Sequence, residues 1–501
     1  MSILKKNKNL LIIFAIFTVL YFFTRLFNVM ALPIFTDEAI YTRWSQIARY
    51  DAAWRFISLT DGKQPLFVWI NMILMRFISD PLLAGRLVSV GAGFFTMIGM
   101  FFLSSEIFKN KKIGIIGSFL YLVFPFSLVY DRMALYDSLV ACFAVWSLYL
   151  EVLLIRLKRL DIALILGLIL GGGFLTKSSA FFFAYLLPFS LVLFDLEKPK
   201  RVERLLKWGS LALLSASLGY FYYSVLRLSP LRYMINEKNS IFIYPFSEWI
   251  QHPLRFFHGN LAGLYDWLIA YLGIPIALLI VFSLIISKKF FREKILLLLW
   301  FSIPFVALAL FGKTLYPRFI LFMTMPLLVL AAYSLFVLTE KFKSKKFKAL
   351  IIILFVALSL RSDYFIITDI ARSPVHRADL TQYVNGWPAG GGMKEIVEYL
   401  DEKSKKGKIY VASEGTFGSI PTYVMEIYLD ENKNIEKRGM WPLPHEIPQD
   451  LIEKAKIMPV YFIFNNTQEP PETTWPIKLV AKYNKGISNS RISLYQVVPN
   501  K

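Results

Sequence analysis

The chain has few of the residues on which disulfide scaffolds and sulfur or imidazole metal centres depend. Its 501 residues include one cysteine, Cys142, and four histidines. A single cysteine excludes an internal disulfide framework and a cysteine metal cluster. His252 and His258 are six residues apart, a spacing that fits no pair of ligands on one face of a helix. The sequence therefore gives no reason to expect a histidine metal site in this segment.

Acidic residues are also scarce, with 35 Asp and Glu against 56 Lys and Arg and a formal net charge of +21. Such an excess can indicate nucleic-acid binding, but here the basic residues form short clusters between apolar runs. With 56% hydrophobic residues and a mean hydropathy of +0.52, the chain is too apolar for a soluble protein of this size. We expect a membrane protein that binds no nucleic acid.

Eleven apolar runs are candidates for spans, each of which needs about 20 apolar residues. Clusters of Lys and Arg occupy every second gap, and the positive-inside rule assigns them to the cytoplasm. The first run reads as an uncleaved signal anchor with the N-terminus inside. The prediction is a polytopic α-helical protein of the cytoplasmic membrane. The apolar runs cover 10–32, 82–104, 113–130, 138–155, 162–176, 180–195, 208–227, 263–287, 295–311, 319–338 and 349–367, and the basic clusters cover 5–8, 109–112, 156–159, 198–207, 288–294 and 341–348.

This alternation divides the chain into a transmembrane domain, 1–367, and an extracytoplasmic tail, 368–501. The external loops of the transmembrane domain are 33–81, with an interfacial helix at 65–75, and the aromatic-rich loop 228–262. The tail has more Lys, Glu, Asn and Pro, and its patterns predict a small α/β domain. Its predicted helices are 393–404, 418–429 and 448–456, and its predicted strands are 408–413, 459–464, 477–483 and 491–497.

An acidic pair, Asp37 and Glu38, follows directly on the first apolar run. Carboxylates beside a span are costly unless they have a task, although both could cap the helix that starts near Ala39. The other external turns add separated cations and one more carboxylate. This mixture suits a reaction in which a hydroxyl is deprotonated while an anionic group leaves. The further candidates are Lys63, Arg132, Asp137, Lys177, Lys313, Tyr316 and Arg318.

Several of these residues also have structural interpretations. Asp137 could cap the fourth span, and Arg132 could pair with Asp131 or Asp137. Lys177 and Arg318 could be ordinary interface anchors. The three glycines 390–392 favour a flexible join between membrane and tail over an anion site at a helix start.

Six short motifs resemble those of C-type glycosyltransferases (GT-C), in the branch of protein O-mannosyltransferases and lipid A aminoarabinose transferases. All lie on the external side of the predicted topology, in the order typical of that family, and they cover the chain to about residue 335. One departure is Gly62, at a position where aminoarabinose transferases often carry a glutamate. The motifs are TDEA at 36–39, GKQPLFVW at 62–69, GRLVS at 85–89, RMALYD at 132–137, GFLTK at 173–177 and KTLYPRF at 313–319, followed by Pro326.

The resemblance implies an inverting glycosyltransferase that uses a polyprenyl-phosphate sugar as donor. An acceptor hydroxyl, on a protein, a lipid or a cell-envelope glycan, attacks the sugar outside the membrane, and the lipid phosphate leaves. Asp37 would be the general base, with Glu38 and Asp137 as further catalytic carboxylates. A divalent cation shared by Asp37 and Asp137 is a further possibility. The residues implied in binding the lipid phosphate and donor are Lys63, Arg132, Lys177, Lys313, Tyr316 and Arg318.

Two rival functions remain open at this point. A flippase or transporter of lipid-linked sugars has the same polytopic architecture, but transporters place ionisable groups near the bilayer midplane. A non-catalytic sensor or scaffold would leave the external motifs unexplained. We also expect the tail to cover the active site and to help select the acceptor, with residues 383–390 available for stacking on a sugar.

Overall fold

The computed structural model describes residues 8–465 and 475–499. Lys5 and Lys6 of the first basic cluster lie outside these residues. All eleven apolar runs are helical in whole or in part, but only eight helices in the described part of the chain are long and apolar enough to cross a membrane. They are Lys8–Ala31, Pro81–Phe108, Asp137–Leu157, Arg201–Leu228, Phe257–Ile285, Phe291–Phe311, Pro317–Glu340 and Lys345–Thr368.

The predicted count of eleven spans is therefore not confirmed. The third run is a pair of helices, Lys111–Leu122 and Pro125–Asp131, bent by 61°, and it would make a ninth span if counted as one. The two shortest runs form a 15-residue helix, Leu160–Phe174, and a succession of short 3₁₀- and α-helical segments over Ser178–Leu193. Both are shorter than the about 20 residues of a typical crossing, so neither is counted among the eight long helices.

Local sequence explains where the helices begin. The Asp80 side chain accepts a hydrogen bond from the Leu83 amide at 2.8 Å, and Pro81 occupies the first helical position, where its missing N–H costs nothing. Inside the bundle small residues allow close contacts. A Cβ atom on Gly93 would lie 2.3 Å from the Tyr21 hydroxyl, so the first two spans depend on glycine there.

The two long loops at the end of the bundle that carries Asp37 are also helical. The first contains Thr36–Tyr50 and Leu66–Leu74, the latter at the predicted 65–75 position. The second contains Met234–Phe242 and Phe246–Gln251. These short helices meet the turns between the spans, and the candidate residues lie among them.

The tail forms a five-stranded sheet of order β2-β1-β3-β5-β4 with helices Met393–Ser404, Ile420–Leu429 and Gln449–Ala455. The strands are β1 Ile409–Glu414, β2 Ile435–Met440, β3 Val460–Phe464, β4 Ile477–Asn484 and β5 Arg491–Val497. β1 pairs in parallel with β2 and β3, and β5 pairs antiparallel to β3 and β4. Every predicted tail helix and strand is present, while β2 was missed because its sequence, IEKRGM, has no apolar run.

Residues 377–390, which we call the tail strap, connect this domain to the membrane helices. The Thr36 amide donates to the Pro388 carbonyl at 3.0 Å, and the Gly390 amide donates to the Ile34 carbonyl at 2.7 Å. A Cβ atom on Gly390 would lie 2.6 Å from the Ile34 side chain. The expected flexible join at 390–392 is therefore wrong at its first residue, because the backbone there is bonded to the segment that precedes Asp37.

Candidate functional site

Asp37 lies in the first turn of the Thr36–Tyr50 helix and faces two cations from distant parts of the chain. Its Oδ2 accepts a hydrogen bond from Arg318 Nη2 at 3.0 Å, and its Oδ1 is 3.5 Å from Lys63 Nζ. Arg318 belongs to the turn Pro317–Ile320 before a buried span. Three separate segments thus place one carboxylate between two cations.

The backbone around Lys63 depends on the preceding glycine. Gly62 has φ +63°, and a Cβ atom there would lie 2.2 Å from the Met234 carbonyl oxygen. This close approach brings the Met234–Phe242 helix against the loop, where Lys238 Nζ contacts Asp61 at 2.6 Å. Asp61 also lies 3.4 Å from Lys63. Together these contacts form a row of alternating charges, Lys238–Asp61–Lys63–Asp37–Arg318, which we call the charge row.

The charge row alters the acid–base properties of its members. Burial alone would raise the pKa of Asp37, but Lys63 and Arg318 outweigh it and hold that pKa below its ordinary value. Burial acts to lower the pKa of Lys63, yet Asp37 and Asp61 together raise it. Asp37 is therefore ionised and Lys63 charged at neutral pH, as opposite charges within a few ångströms require.

A second ion pair lies beside the first. Lys177 Nζ contacts Asp137 Oδ1 at 2.7 Å and lies 4.5 Å from the centre of the Phe319 ring, next to Arg318. Burial lowers the pKa of Lys177, against the opposing effect of Asp137. Asp137 lies in the first turn of its helix but is not the N-cap residue, which is Tyr136. Its carboxylate instead pairs with Lys177.

Glu38 has a different environment from its neighbour. Arg86 holds both of its oxygens with Nε–Oε1 and Nη2–Oε2 distances of 2.9 Å. The amides of Phe35 and Ala134 donate to the same carboxylate at 3.0 and 2.7 Å. Glu38 and Arg86 are fully buried. The expected helix cap is thus formed by Glu38, and the structure does not bring it into the charge row.

Two predicted phosphate-binding cations also lie outside the group. Arg132 donates to the backbone carbonyls of Thr24 and Phe27, both at 2.8 Å, at the end of the first helix, where carbonyl groups lack partners. The expected pairing of Arg132 with Asp131 or Asp137 is wrong, because Asp131 pairs with Arg25 at 3.4 Å and Asp137 with Lys177.

Lys313 is exposed and lies 6.0 Å from the ring centre of Tyr244. The Tyr316 ring, by contrast, lies 4.7 Å from the guanidinium carbon of Arg318 and forms part of its surroundings. The structure therefore gathers six of the predicted site residues: Asp37, Lys63, Asp137, Lys177, Tyr316 and Arg318.

A metal ion shared by Asp37 and Asp137 does not fit this arrangement. Each carboxylate already faces a cation from the protein, and residues 8–465 and 475–499 contain no cluster of three or more His, Cys, Asp or Glu side chains that could hold a metal. A hard divalent cation prefers six or more oxygen ligands, or several retained waters beside its carboxylates. Lysine and arginine occupy that space here.

Three residues at the site, Asp61, Lys238 and Asp379, were not predicted from the sequence, and Tyr383 was expected to stack on a sugar and not to contact Arg318. Asp61 and Lys238 extend the charge row, and the Tyr383 hydroxyl accepts a hydrogen bond from Arg318 Nη1 at 3.3 Å. Asp379 lies behind Tyr383 and is fully buried. The residues that these side chains contact lie 65 or more positions away along the chain, apart from the contact of Asp61 with nearby Lys63. None of the six motifs includes these residues. The available signals were the isolated acid Asp61 in the loop 33–81 and the aromatic segment 383–390, which contains Tyr383.

Comparisons with known proteins identify the fold of this chain. Residues 62–221 match the family model described as dolichyl-phosphate-mannose-protein mannosyltransferase. Over 99% of both chains the structure is similar to that of ArnT from Cupriavidus metallidurans in the apo state, with a TM-score of 0.59 and 12% identity. The chain has the GT-C fold. The resemblance predicted from the six motifs is thereby confirmed.

Other similar structures support the GT-C fold. ArnT from the same organism bound to undecaprenyl phosphate gives a TM-score of 0.54 at 12% identity over 98% of both chains. The archaeal oligosaccharyltransferase AglB from Archaeoglobus fulgidus, solved with an inhibitory peptide and a dolichol-phosphate, gives 0.52 at 13% identity over 92% of this GT-C chain and 70% of its own.

Sequence similarity to curated relatives is confined to part of the chain. An undecaprenyl phosphate-alpha-4-amino-4-deoxy-L-arabinose arabinosyl transferase of Pectobacterium carotovorum is 25% identical over a match of 254 residues that covers 47% of this chain and 42% of the relative. A protein of the same description from Pectobacterium atrosepticum is 25% identical over 192 residues. The match thus spans less than half the length of these relatives.

Proposed function

We propose that this protein is an inverting glycosyltransferase that moves a sugar from a polyprenyl-phosphate donor to an acceptor hydroxyl at the outer face of the cytoplasmic membrane. The observation that carries the proposal is the single carboxylate of Asp37 between Lys63 and Arg318. The GT-C fold and the similarity to transferases of undecaprenyl-phosphate sugars support it. Undecaprenyl phosphate is accordingly our choice of carrier.

In the proposed reaction the carboxylate and the cations have separate roles. Asp37 takes the proton from the acceptor hydroxyl, whose oxygen attacks the anomeric carbon of the sugar. The bond from that carbon to the phosphate oxygen breaks, and the lipid phosphate leaves with the electron pair. Arg318, Lys63 and Lys177 are placed to stabilise the charge that grows on the phosphate, with Arg318 capable of a bidentate contact.

Binding of the donor would also activate the base. In the empty site Lys63 and Arg318 are paired with Asp37 and hold its pKa low. When the phosphate attracts these cations, their effect on Asp37 weakens and its pKa rises toward the range in which a general base works best. The same two cations thus keep the carboxylate inactive until the leaving group is present.

The remaining candidates have supporting parts in this proposal. Asp137 holds Lys177 at the edge of the phosphate site and faces the donor sugar. Glu38 and Arg86 fix the start of the helix that carries Asp37. Arg132 fixes the end of the first span, and Lys313 remains at the surface. The external position of the site rests on the basic clusters, which lie in the gaps at the opposite ends of the spans.

The direct test is transfer of label from a defined donor. Purified protein in lipid vesicles is mixed with radiolabelled polyprenyl-phosphate sugars and a crude envelope extract, with and without chelator. We expect Asp37→Asn to lower transfer by about 10²- to 10⁴-fold, and chelator to leave it unchanged. Asp369→Asn, at an exposed carboxylate, is the matched control and should transfer normally.

Two outcomes would contradict the proposal. Normal turnover by Asp37→Asn would remove Asp37 as the base. Movement of intact lipid-linked sugar across the vesicle membrane, with no new glycosidic bond in any sample, would show a transporter instead of a transferase.

A further inference from the structure

The tail strap places a buried carboxylate, Asp379, close to Arg318, with two tyrosine hydroxyl groups between them. Asp379 has no exposed surface. Its Oδ2 accepts hydrogen bonds from the Tyr130 hydroxyl at 2.6 Å and from the Tyr271 hydroxyl. Tyr130 and Tyr271 come from two different helices of the bundle. Asp379 therefore fixes the strap to the membrane helices through two tyrosines.

These contacts continue to the charge row. The Tyr130 and Tyr383 hydroxyl oxygens are 3.2 Å apart, and Tyr383 lies 3.3 Å from Arg318 Nη1. Arg318 Nη2 is bonded to Asp37 on its other side. A continuous path of hydrogen bonds thus joins Asp379 in the tail strap to Asp37.

The path has one possible direction when Asp379 is ionised. A carboxylate only accepts, so Tyr130 must donate its single hydroxyl proton to Asp379. Tyr383 must then donate its own proton to Tyr130, which leaves only lone pairs on the Tyr383 oxygen. Arg318 is a donor without acceptor atoms. The ionised Asp379 therefore orients the tyrosine hydroxyls so that Tyr383 can receive Arg318.

Asp379 is ionised at neutral pH in this environment. Burial raises its pKa to about 6, while the hydrogen bonds from Tyr130 and Tyr271 act to lower it. Arg318 and His376 also favour the charged form.

We propose that Tyr383 and Asp379 are positioning residues that hold the Arg318 guanidinium in place for the leaving phosphate. This inference rests on the proposed function, because it assigns Arg318 to the lipid phosphate. Tyr383 is the one hydrogen-bond partner of Nη1 in the described part of the chain, and the Tyr316 and Phe35 rings flank the same guanidinium at 4.7 and 5.5 Å. The tail strap is thus a part of the donor site and does not merely cover it.

The two residues should respond differently to substitution. Tyr383→Phe removes the acceptor and leaves the ring, which packs on Phe35 with its centre 4.8 Å away. Asp379→Asn keeps the shape but introduces an amide that can donate to Tyr130. The direction of the path is then no longer fixed, and Tyr383 can lose its role as acceptor.

The test measures binding of undecaprenyl phosphate to the purified full chain and, in parallel, turnover against donor concentration. Because a hydrogen bond to a charged group is worth a factor of about ten or more, we expect Tyr383→Phe to weaken binding and lower kcat/KM about tenfold. Asp379→Asn should do the same, with the thermal midpoint of Tyr383→Phe within a few degrees of wild type. Tyr399→Phe, in the tail and away from Arg318, is the matched control.

A double variant separates positioning from a general structural effect. Since Asp379 acts through Tyr383, adding Asp379→Asn to Tyr383→Phe should cost little more than Tyr383→Phe alone. Independent, additive losses would overturn the inference. So would wild-type binding by Tyr383→Phe, or a wild-type protein that binds no polyprenyl phosphate. Binding that depends on Tyr383 without any sugar transfer would support the inference and contradict the proposed function.

Discussion

Asp37 and Glu38 are adjacent in sequence and occupy opposite kinds of environment. Glu38 is sealed in the bundle with two contacts from Arg86 and two from backbone amides, so its oxygens are fully used. Asp37 is partly exposed and has two cations, but no backbone donor among residues 8–465 and 475–499. Successive residues on a helix point about 100° apart. One carboxylate therefore faces the neighbouring span, while the other faces the space between the loops.

Two adjacent carboxylates can thus have different roles. A carboxylate with saturated hydrogen bonds in a dry environment stabilises structure and has no atom left for a substrate. A carboxylate held only by lysine and arginine side chains can share those partners with a phosphate. The two residues should accordingly respond to substitution in opposite ways, one in stability and one in turnover.

The largest effect on stability is expected for Glu38→Gln. Loss of one member of a buried ion pair leaves the Arg86 charge without compensation and typically costs about 3–5 kcal/mol. We expect a lower thermal midpoint and a poor yield of folded protein, with near-normal turnover per folded molecule. Glu398→Gln, at an exposed helix position, is the control. A stable Glu38→Gln protein that lacks turnover would instead place Glu38 in the chemistry.

Lys63→Met should alter both rate and pH dependence. Loss of one charge-stabilising donor typically costs about 10²- to 10³-fold in turnover. Because Lys63 lowers the pKa of Asp37, its removal should raise that pKa. The base is protonated below its pKa, so the acid limb of the kcat/KM profile should move to higher pH. Lys313→Met should not shift the acid limb of the profile. An unshifted acid limb in Lys63→Met would contradict the assignment of Asp37 as the base.

Lys238→Met should have the smallest effect of the series. Lys238 contacts Asp61 and not Asp37, its charge lowers the Asp37 pKa less than Lys63 and Arg318 do, and partly exposed ion pairs contribute about 0–1 kcal/mol. We expect a loss of at most about fivefold in kcat/KM, with the thermal midpoint unchanged. A loss as large as that of Lys63→Met would mean that Lys238 contacts the donor directly.

Local pattern was enough to predict most of the elements and part of the site. Apolar runs and alternating basic clusters gave the helices of the bundle, although run length alone did not separate a span from a shorter helix such as Leu160–Phe174. The periodicity of apolar residues and the turn residues between them predicted the helices and strands of the tail, apart from the polar edge strand β2. Asp37, Lys63 and Arg318 carried motif signals, and the structure brings them together.

The rest of the site depends on contacts that no local pattern records. Lys238 meets Asp61 across 177 positions, and Tyr130 meets Asp379 across 249. The glycines at 390–392 suggested flexibility by composition, whereas the first of them pairs with the backbone before Asp37. Arg132 was predicted as a site cation because it lies in a motif, but its guanidinium instead binds the backbone carbonyl groups at the end of the first helix.

The attachment of the tail strap to the loop of Asp37 has a consequence for how a newly made molecule acquires activity. Synthesis proceeds from the N-terminus, so Tyr383 and the backbone at 388–390 emerge after all the long apolar helices have been inserted. Until then Arg318 lacks one of its partners and the segment before Asp37 lacks its own. Under the proposed function, an unfinished or clipped chain would be embedded in the membrane and would still release sugar from its carrier more slowly than the full chain.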